Sequence, residues 1–246
     1  MSLSYNGGEF SGWQSQLNAP SVQETLERAL SIAFGETVSV VGAGRTDAGV
    51  NARNYIAHFD LHGNISFDAK RIISKINAIL PLSVVVHNLY RVKDDAHARF
   101  DAVSRTYRYY VHTSKDPFAV NSLFFRYNLD VDAMNRAAGH FIGEHDFSSF
   151  EKVGADNRTS ICTVSRAGWD AVDGTHFVFT VTANRFLRNM VRAMVGTLLE
   201  IGGGKRPAEW VDEVLAARDR GCAGQSVIGE ALFLEEVSYP YELETI

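Results

Sequence analysis

The sequence is poor in the residues that staple or metallate a small protein. Its 246 residues hold two cysteines, Cys162 and Cys222, far apart and without a CxxC partner. That excludes a disulfide framework and gives no sign of a thiolate zinc site; both cysteines read as small buried hydrophobes. The eight histidines form no HExxH pair and no cluster with cysteine. His58 and His62 are four apart but fall on a strand running into Gly63, so no structural metal is expected. No apolar run approaches the roughly 20 residues that cross a bilayer. "MSLSYNGGEF" lacks the basic-then-apolar layout of a secretory signal, which makes the cytoplasm the expected location, and "MSLSY" reads as a trimmed or tagged start.

What is present is an ordinary apolar content, 46% hydrophobic residues, enough for one large domain or two modest lobes. The net charge of −5 is unevenly spread. Asn184 to Arg206 carries five basic residues against one acidic, whereas Pro207 to Ile246 carries nine acidic against two basic. The acidity is concentrated at the C-terminal end, which leaves room for a basic, polyanion-facing surface elsewhere.

The element pattern is mixed. "SVQETLERALSIAF" reads as a helix with Ser21 and Glu24 as a capping box and Val22, Leu26, Ala29, Leu30 and Ala33 on one face. Further helices are expected over Ser66–Leu80, Val131–His140, Phe186–Ile201 and Pro207–Arg220. Strands are expected at Leu82–Tyr90, Ser104–Thr113, Ile161–Trp169, His176–Thr182 and Ala231–Val237. Without strict βαβ alternation, the fold class is α+β with a mainly antiparallel mixed sheet core flanked by helices. Two lobes, 1–94 and 95–246, would join near Lys93–Ala96.

One stretch concentrates chemistry. "VGAGRTDAGVNA", residues 41–52, places Arg45 and Asp47 in a glycine-rich loop between the apolar runs Val38–Val41 and Tyr55–Phe59, both of which read as strands. It is not a dinucleotide fingerprint, because the position of the third glycine is Asp47, whose charge repels a pyrophosphate. It is not a P-loop, since no Gly-Lys-Ser/Thr follows, nor an aspartic-protease loop, which needs Asp before Thr and a second copy. Two readings stay open on local chemistry: a functional carboxylate, or a turn-forming aspartate. A second stretch, Phe186–Ile201, sets Leu187, Met190, Val191, Met194 and Leu198 on one helical face and Arg185, Arg188 and Arg192 opposite. That arginine stripe is either a solvated face or a clamp for phosphate or carboxylate.

Four segments, "YNGGEFSGWQSQLNAPSVQETLERAL", "GAGRTDAGVNA", "HARFDAVSRTYRYYV" and "FLRNMVRAMVGTLLEIGGGK", resemble in order and spacing the tRNA pseudouridine synthase A family. "GEHDFSSF" and "ALFLEEV" are similar to its later segments, so the resemblance spans nearly the whole chain. It implies the pseudouridine synthase fold and isomerisation of uridine to pseudouridine at positions 38, 39 and/or 40 in the anticodon arm of tRNA. It also implies a homodimer and no cofactor. By this resemblance Asp47 is the catalytic carboxylate, acting as nucleophile at C1′ or as base on the ribose. Arg192 resembles the arginine paired with that aspartate, and Tyr107 the tyrosine stacked on the target base. Arg45 resembles the residue that displaces the target nucleotide, and Leu232 the apolar residue beneath the base. Asn6, Asn51 and Ala231 depart from the family's usual Asp, His and Gly.

Two other functions bear on the same residues. A silent RNA-binding module would use Arg185, Arg188 and Arg192 on phosphates and Tyr107 on a base, but has no need of an acid beside Arg45, because phosphate repels carboxylate. A hydrolytic nucleosidase or nuclease needs a second acid or a metal cluster. Asp60 and Asp101 are present, but no spacing supports them.

Overall fold

The computed structural model of the chain describes residues 1–62, 67–155 and 158–246. They divide into two compact units, Met1–Val103 with Leu234–Ile246, and Ser104–Phe233. Both mix helices with antiparallel strands, so the class is α+β.

The first unit opens with β1 (Ser2–Tyr5), α1 (Val22–Phe34), β2 (Val41–Gly42), β3 (Asn51–His58), α2 (Ala69–Ile79), β4 (Val84–Asn88) and β5 (Tyr90–Arg91). β1 lies between β4 and β3, antiparallel to both, with Leu3 opposite Tyr55 and Val86. α1 begins where Ser21 Oγ accepts the Glu24 N–H at 3.2 Å, and its five expected core residues are all buried. The expected start of the next helix at Ser66 lies outside the described residues; α2 starts after Asp68, whose carboxylate accepts the N–H groups of Lys70 and Arg71. Asn77 on α2 brackets Val86, accepting its N–H at 2.8 Å and donating to its carbonyl at 2.9 Å, which covers part of the β4 edge.

Two expectations for this unit need correction. The run Val38–Val41 is β-branched, yet only Val41 and Gly42 pair as strand. Helix α1 takes the other backbone groups: Ser31 Oγ accepts from Val38 N–H, Glu27 accepts from Val40 N–H, and Gln23 donates to Val40 carbonyl. Side chains of a neighbouring helix have thus replaced a strand partner. β3 also stops at His58, so His62 lies beyond the strand expected to carry it.

The second unit holds β6 (Ser104–His112), β7 (Leu123–Phe124), α3 (Val131–Gly139), β8 (Gly143–Asp146), β9 (Ile161–Ala171), β10 (His176–Ala183), α4 (Met190–Gly202) and α5 (Trp210–Ala217). Its strands run β6-β10-β9-β8, antiparallel throughout, with β7 added parallel to β6. Tyr109, Phe179 and Trp169 meet in register across three strands and are buried. Asn135 of α3 ties that helix to β9 through both backbone groups of Trp169, at 2.7 and 3.0 Å. β11 (Leu232–Ser238) leads back to the first unit, where Arg53 pairs with Glu235 at 3.2 Å and β12 (Glu244–Thr245) pairs with β5.

Three further expectations differ from what is seen. The helix expected from Phe186 begins only at Met190, because Asn189 adopts a left-handed φ of +68° that breaks the turn before it. α5 is confined to Trp210–Ala217, closed by Arg218 at φ +51°. Cys162 is buried, but Cys222 is exposed on a surface turn formed as Asp219 accepts the Gly221 N–H.

Candidate active site

Arg45 and Asp47 lie on the β2–β3 loop, and the sequence holds that loop down residue by residue. Arg45 is exposed, Thr46 buried and Asp47 half-buried. Thr46 is the anchor: its hydroxyl shares a 2.9 Å hydrogen bond with Tyr5 OH, and its carbonyl accepts the Trp13 N–H at 3.2 Å. Tyr5, Trp13 and Tyr55 pack as one aromatic cluster, Trp13 stacking on Tyr55 with centroids 4.1 Å apart. Tyr55 OH also donates to the Gly44 carbonyl. Val50 N–H closes a turn onto the Asp47 carbonyl at 3.2 Å, and Gly49 N–H donates to Phe10. The loop therefore has few free dihedrals, and Asp47 is presented on a fixed backbone.

Gly12 approaches this loop closely beside Asp47. Its φ is +107°, and a Cβ there would stand 2.5 Å from the Thr46 carbonyl oxygen and 3.3 Å from Asp47 carbonyl carbon. Only glycine fits both the conformation and the space. Gly12, Trp13 and Thr46 were not singled out from the sequence, although all three lie within segments that carry the family resemblance.

In the second unit, Tyr107 sits mid-strand on β6, opposite Val181, half-buried and edge-on to Phe186 with centroids 5.0 Å apart. A core aromatic here would resemble Tyr109, two residues on, which is fully buried and donates to the Ile228 carbonyl at 3.1 Å. Burial pushes the Tyr109 hydroxyl well above its usual range, while the nearby Arg192 charge pulls the other way.

Arg192 occupies the first turn of α4, a helix otherwise buried almost all round; between Met190 and Gly202 only Arg192 and Glu200 escape full burial. The solvated-face reading fails for this residue. Its Nε donates to the Val227 carbonyl at 2.6 Å, and Val227 N–H donates back to the Arg192 carbonyl at 3.2 Å. The strap carrying Val227 is held close to α4, where Gly224 N–H reaches Thr197 Oγ1 at 3.0 Å and a Cβ on Gly196 would overlap the Gln225 carbonyl oxygen. Arg192 is thus held to the strap at its backbone carbonyl and at its Nε.

Arg185 and Arg188 do not share its helix. They precede α4 in irregular chain, Arg185 half-buried and Arg188 exposed, with the Arg188 carbonyl accepting Lys152 N–H at 3.0 Å. The stripe of three is therefore not a helical face. Leu232 is buried at the start of β11. Arg45 and Asp47 share one loop of the first unit, whereas Tyr107, Arg185, Arg188, Arg192 and Leu232 belong to the second.

Comparison with known proteins is decisive on ancestry. A family model described as tRNA pseudouridine synthase matches residues 137–240. A tRNA pseudouridine synthase A of Porphyromonas gingivalis is 46% identical over 243 residues, covering 98% of this chain and 96% of that protein. The chain belongs to the tRNA pseudouridine synthase A family. A Parabacteroides distasonis member is 49% identical over 98% of this chain and 95% of its own length. One from Acetivibrio thermocellus is 38% identical over 96% and 97%.

Against this family background, two of the departures acquire local roles. Asn51 is buried, and its Oδ1 accepts the Gly7 N–H at 2.9 Å, fastening the loop after β1 to the start of β3. Asn6 accepts the Gly8 N–H at 3.0 Å and opens the single turn Gly7–Glu9. Both asparagines satisfy backbone donors beside the Asp47 loop without adding charge.

Proposed function

We propose that this protein is an isomerase converting uridine to pseudouridine at positions 38, 39 and/or 40 in the anticodon arm of tRNA, with Asp47 as the essential carboxylate. The observation that carries this reading is the Asp47 loop. A half-buried carboxylate stands on a backbone immobilised by Thr46, Tyr5, Trp13 and Gly12, beside the exposed Arg45. A pure RNA binder gains nothing from an acid placed there.

The chemistry suits one carboxylate. The N1–C1′ bond breaks, the uracil turns while bound, and C5 bonds to C1′ as the proton on C5 is lost and N1 gains one; no group is added or removed. Asp47 serves either as nucleophile on C1′, leaving as carboxylate when C5 attacks, or as base removing a ribose proton that is later returned. By the resemblance, Arg192, anchored at Val227, is the arginine that pairs with that carboxylate. Tyr107 stacks on the target base, with Leu232 beneath it. Arg45 fills the gap left by the flipped nucleotide, and Arg185 and Arg188 take phosphates. No cofactor or metal enters this scheme. The remaining assignments are a cytoplasmic homodimer, with residues 1–94 supplying the carboxylate and residues 95–246 the tyrosine and arginine.

The test is Asp47→Asn on tRNA transcripts carrying a single uridine at 38, 39 or 40, with pseudouridine mapped chemically. The variant should bind tRNA as the wild type does and form no pseudouridine. Turnover within tenfold of wild type removes Asp47 from the mechanism.

A further inference from the structure

The stretch "HARFDA", residues 97–102, has no part in the site described above, yet it builds a distinct surface. Phe100 is 74% exposed, although a phenyl ring is among the side chains that gain most from burial. It is not loosely held. Its ring stacks on His97 with centroids 4.2 Å apart and planes 30° from parallel. The His97 ring is fixed in turn, because Nδ1 accepts the N–H groups of Arg99 at 3.1 Å and Phe100 at 3.2 Å and the ring meets His58 edge-on at 4.9 Å.

The backbone beneath is held equally well. His97 N–H donates to Asp101 Oδ2 at 2.7 Å, and Tyr241 OH donates to the same oxygen at 2.9 Å. Ala98 N–H donates to His58 Nδ1 at 3.0 Å, and the Ala98 carbonyl accepts from Tyr239 OH at 2.5 Å. The Arg99 guanidinium lies 5.7 Å from the Phe100 centroid. The result is a rigid aromatic face open to solvent, backed by a second ring and flanked by a cation. That is the equipment of a base-stacking platform. A protein interface would require about 800 Å² per partner, far more than one ring supplies.

We infer that Phe100, backed by His97, stacks on an unpaired nucleobase of tRNA other than the target uridine, and that Arg99 takes the adjoining phosphate. The inference rests on the reading of this protein as a tRNA-modifying enzyme. The second nucleotide follows from the fold. Thr46, beside Asp47, bonds to Tyr5, which is opposite Ala52 near the start of β3, whereas His58 is the last residue of that strand. At about 3.3 Å per residue the two places are roughly 20 Å apart, too far for one base to reach both.

The test uses the full-length protein with Phe100→Leu, Phe100→Trp and Arg99→Gln, measuring Kd for tRNA, KM and kcat for pseudouridine formation, and Tm. Phe100→Leu should raise Kd and KM together by roughly 5- to 150-fold, the scale of one lost stacked base, with kcat at saturation and Tm unchanged. Phe100→Trp should remain within threefold of wild type, and Arg99→Gln should reduce the salt dependence of binding by about one unit of slope. Kd and KM within twofold of wild type in Phe100→Leu overturn the platform, as does a fall in Tm with KM unchanged, which assigns the ring to structure. A wild type that binds tRNA but forms no pseudouridine overturns the proposed function, and the Kd comparison then still decides the platform. No binding of tRNA by the wild type overturns both.

Discussion

Replacing Gly12 by alanine tests whether the fixed backbone around Asp47 matters to the reaction. The added methyl would stand 2.5 Å from the Thr46 carbonyl oxygen, where ordinary contact begins at 3.4 Å, so the loop or Gly12 must give way by about 0.9 Å. The φ of +107° adds backbone strain of at least about 1–2 kcal/mol for an L-residue. A misplacement near 1 Å costs on the order of 100-fold in rate, or about 2.7 kcal/mol of barrier. Gly35→Ala is the matched control: Gly35 also has a left-handed φ, +78°, at the end of α1, but a methyl there meets nothing within 4 Å. Gly35→Ala should lose about 1–2 kcal/mol of stability in urea titrations and Gly12→Ala at least as much, and only Gly12→Ala should lose about 100-fold in kcat, followed by tritium release from labelled tRNA. Equal kcat values in the two variants would refute the argument that the loop must be held in place.

Other outcomes follow from the second unit and from the histidines. Tyr107→Leu should raise KM by roughly 5- to 150-fold while Tyr107→Phe keeps it, because stacking needs the ring and not the hydroxyl; a fall in Tm with normal KM would make Tyr107 a core residue. Arg192→Lys cannot reproduce the Nε–H donated to Val227 and should cut kcat/KM at least about tenfold, whereas wild-type efficiency would return Arg192 to a packing role. Stability should also fall on mild acidification. His58 and His112 are held below their ordinary 6.5, first by burial and then by the neighbouring His97 and His176. The unfolded chain therefore binds more protons than the folded one just below pH 6.5. Their contribution is complete above that value and is lost as pH falls through the lowered pKa values. The urea midpoint should drop between pH 7.5 and 5.5, less so in His58→Gln; a midpoint that rises instead would contradict the sign.

How far the sequence could be read depended on whether the controlling contact was local. α1 was legible to the residue, because Ser21 and the five apolar positions act within the helix itself. The strands β6, β9 and β10 were legible because aromatic and β-branched runs have few alternatives. The start of α4 was not, since apolar spacing continues back through Leu187 while the break comes from one left-handed residue, Asn189. Val38–Val40 reads as strand in isolation, and only side chains of α1, 7 to 17 residues earlier, decide otherwise. For the site, spacing identified the Arg45–Asp47 loop as unusual but left its role open, and the family resemblance supplied the role. Arg192 differed from Arg185 and Arg188 for a reason invisible in a helical wheel: burial of nearly every other position on α4.

The path of the chain sets an order of completion. Asn54 on β3 donates to the carbonyl of Glu235 on β11, 181 residues away, and the whole second unit is strung between them. During synthesis the unit bearing Asp47 leaves the ribosome first, but cannot receive its last strands until Ser104–Phe233 has been made. The second unit has all its own strands and helices by then and is free to fold first. At about 5–20 residues per second, making Ser104–Phe233 keeps the N-terminal unit waiting roughly 7–26 s with β11 and the β12 partner of β5 still missing. Through that interval its exposed sheet edges are open to mispairing, so the most vulnerable state of this protein is a nascent one whose Arg45–Asp47 loop is already made and whose supporting sheet is unfinished.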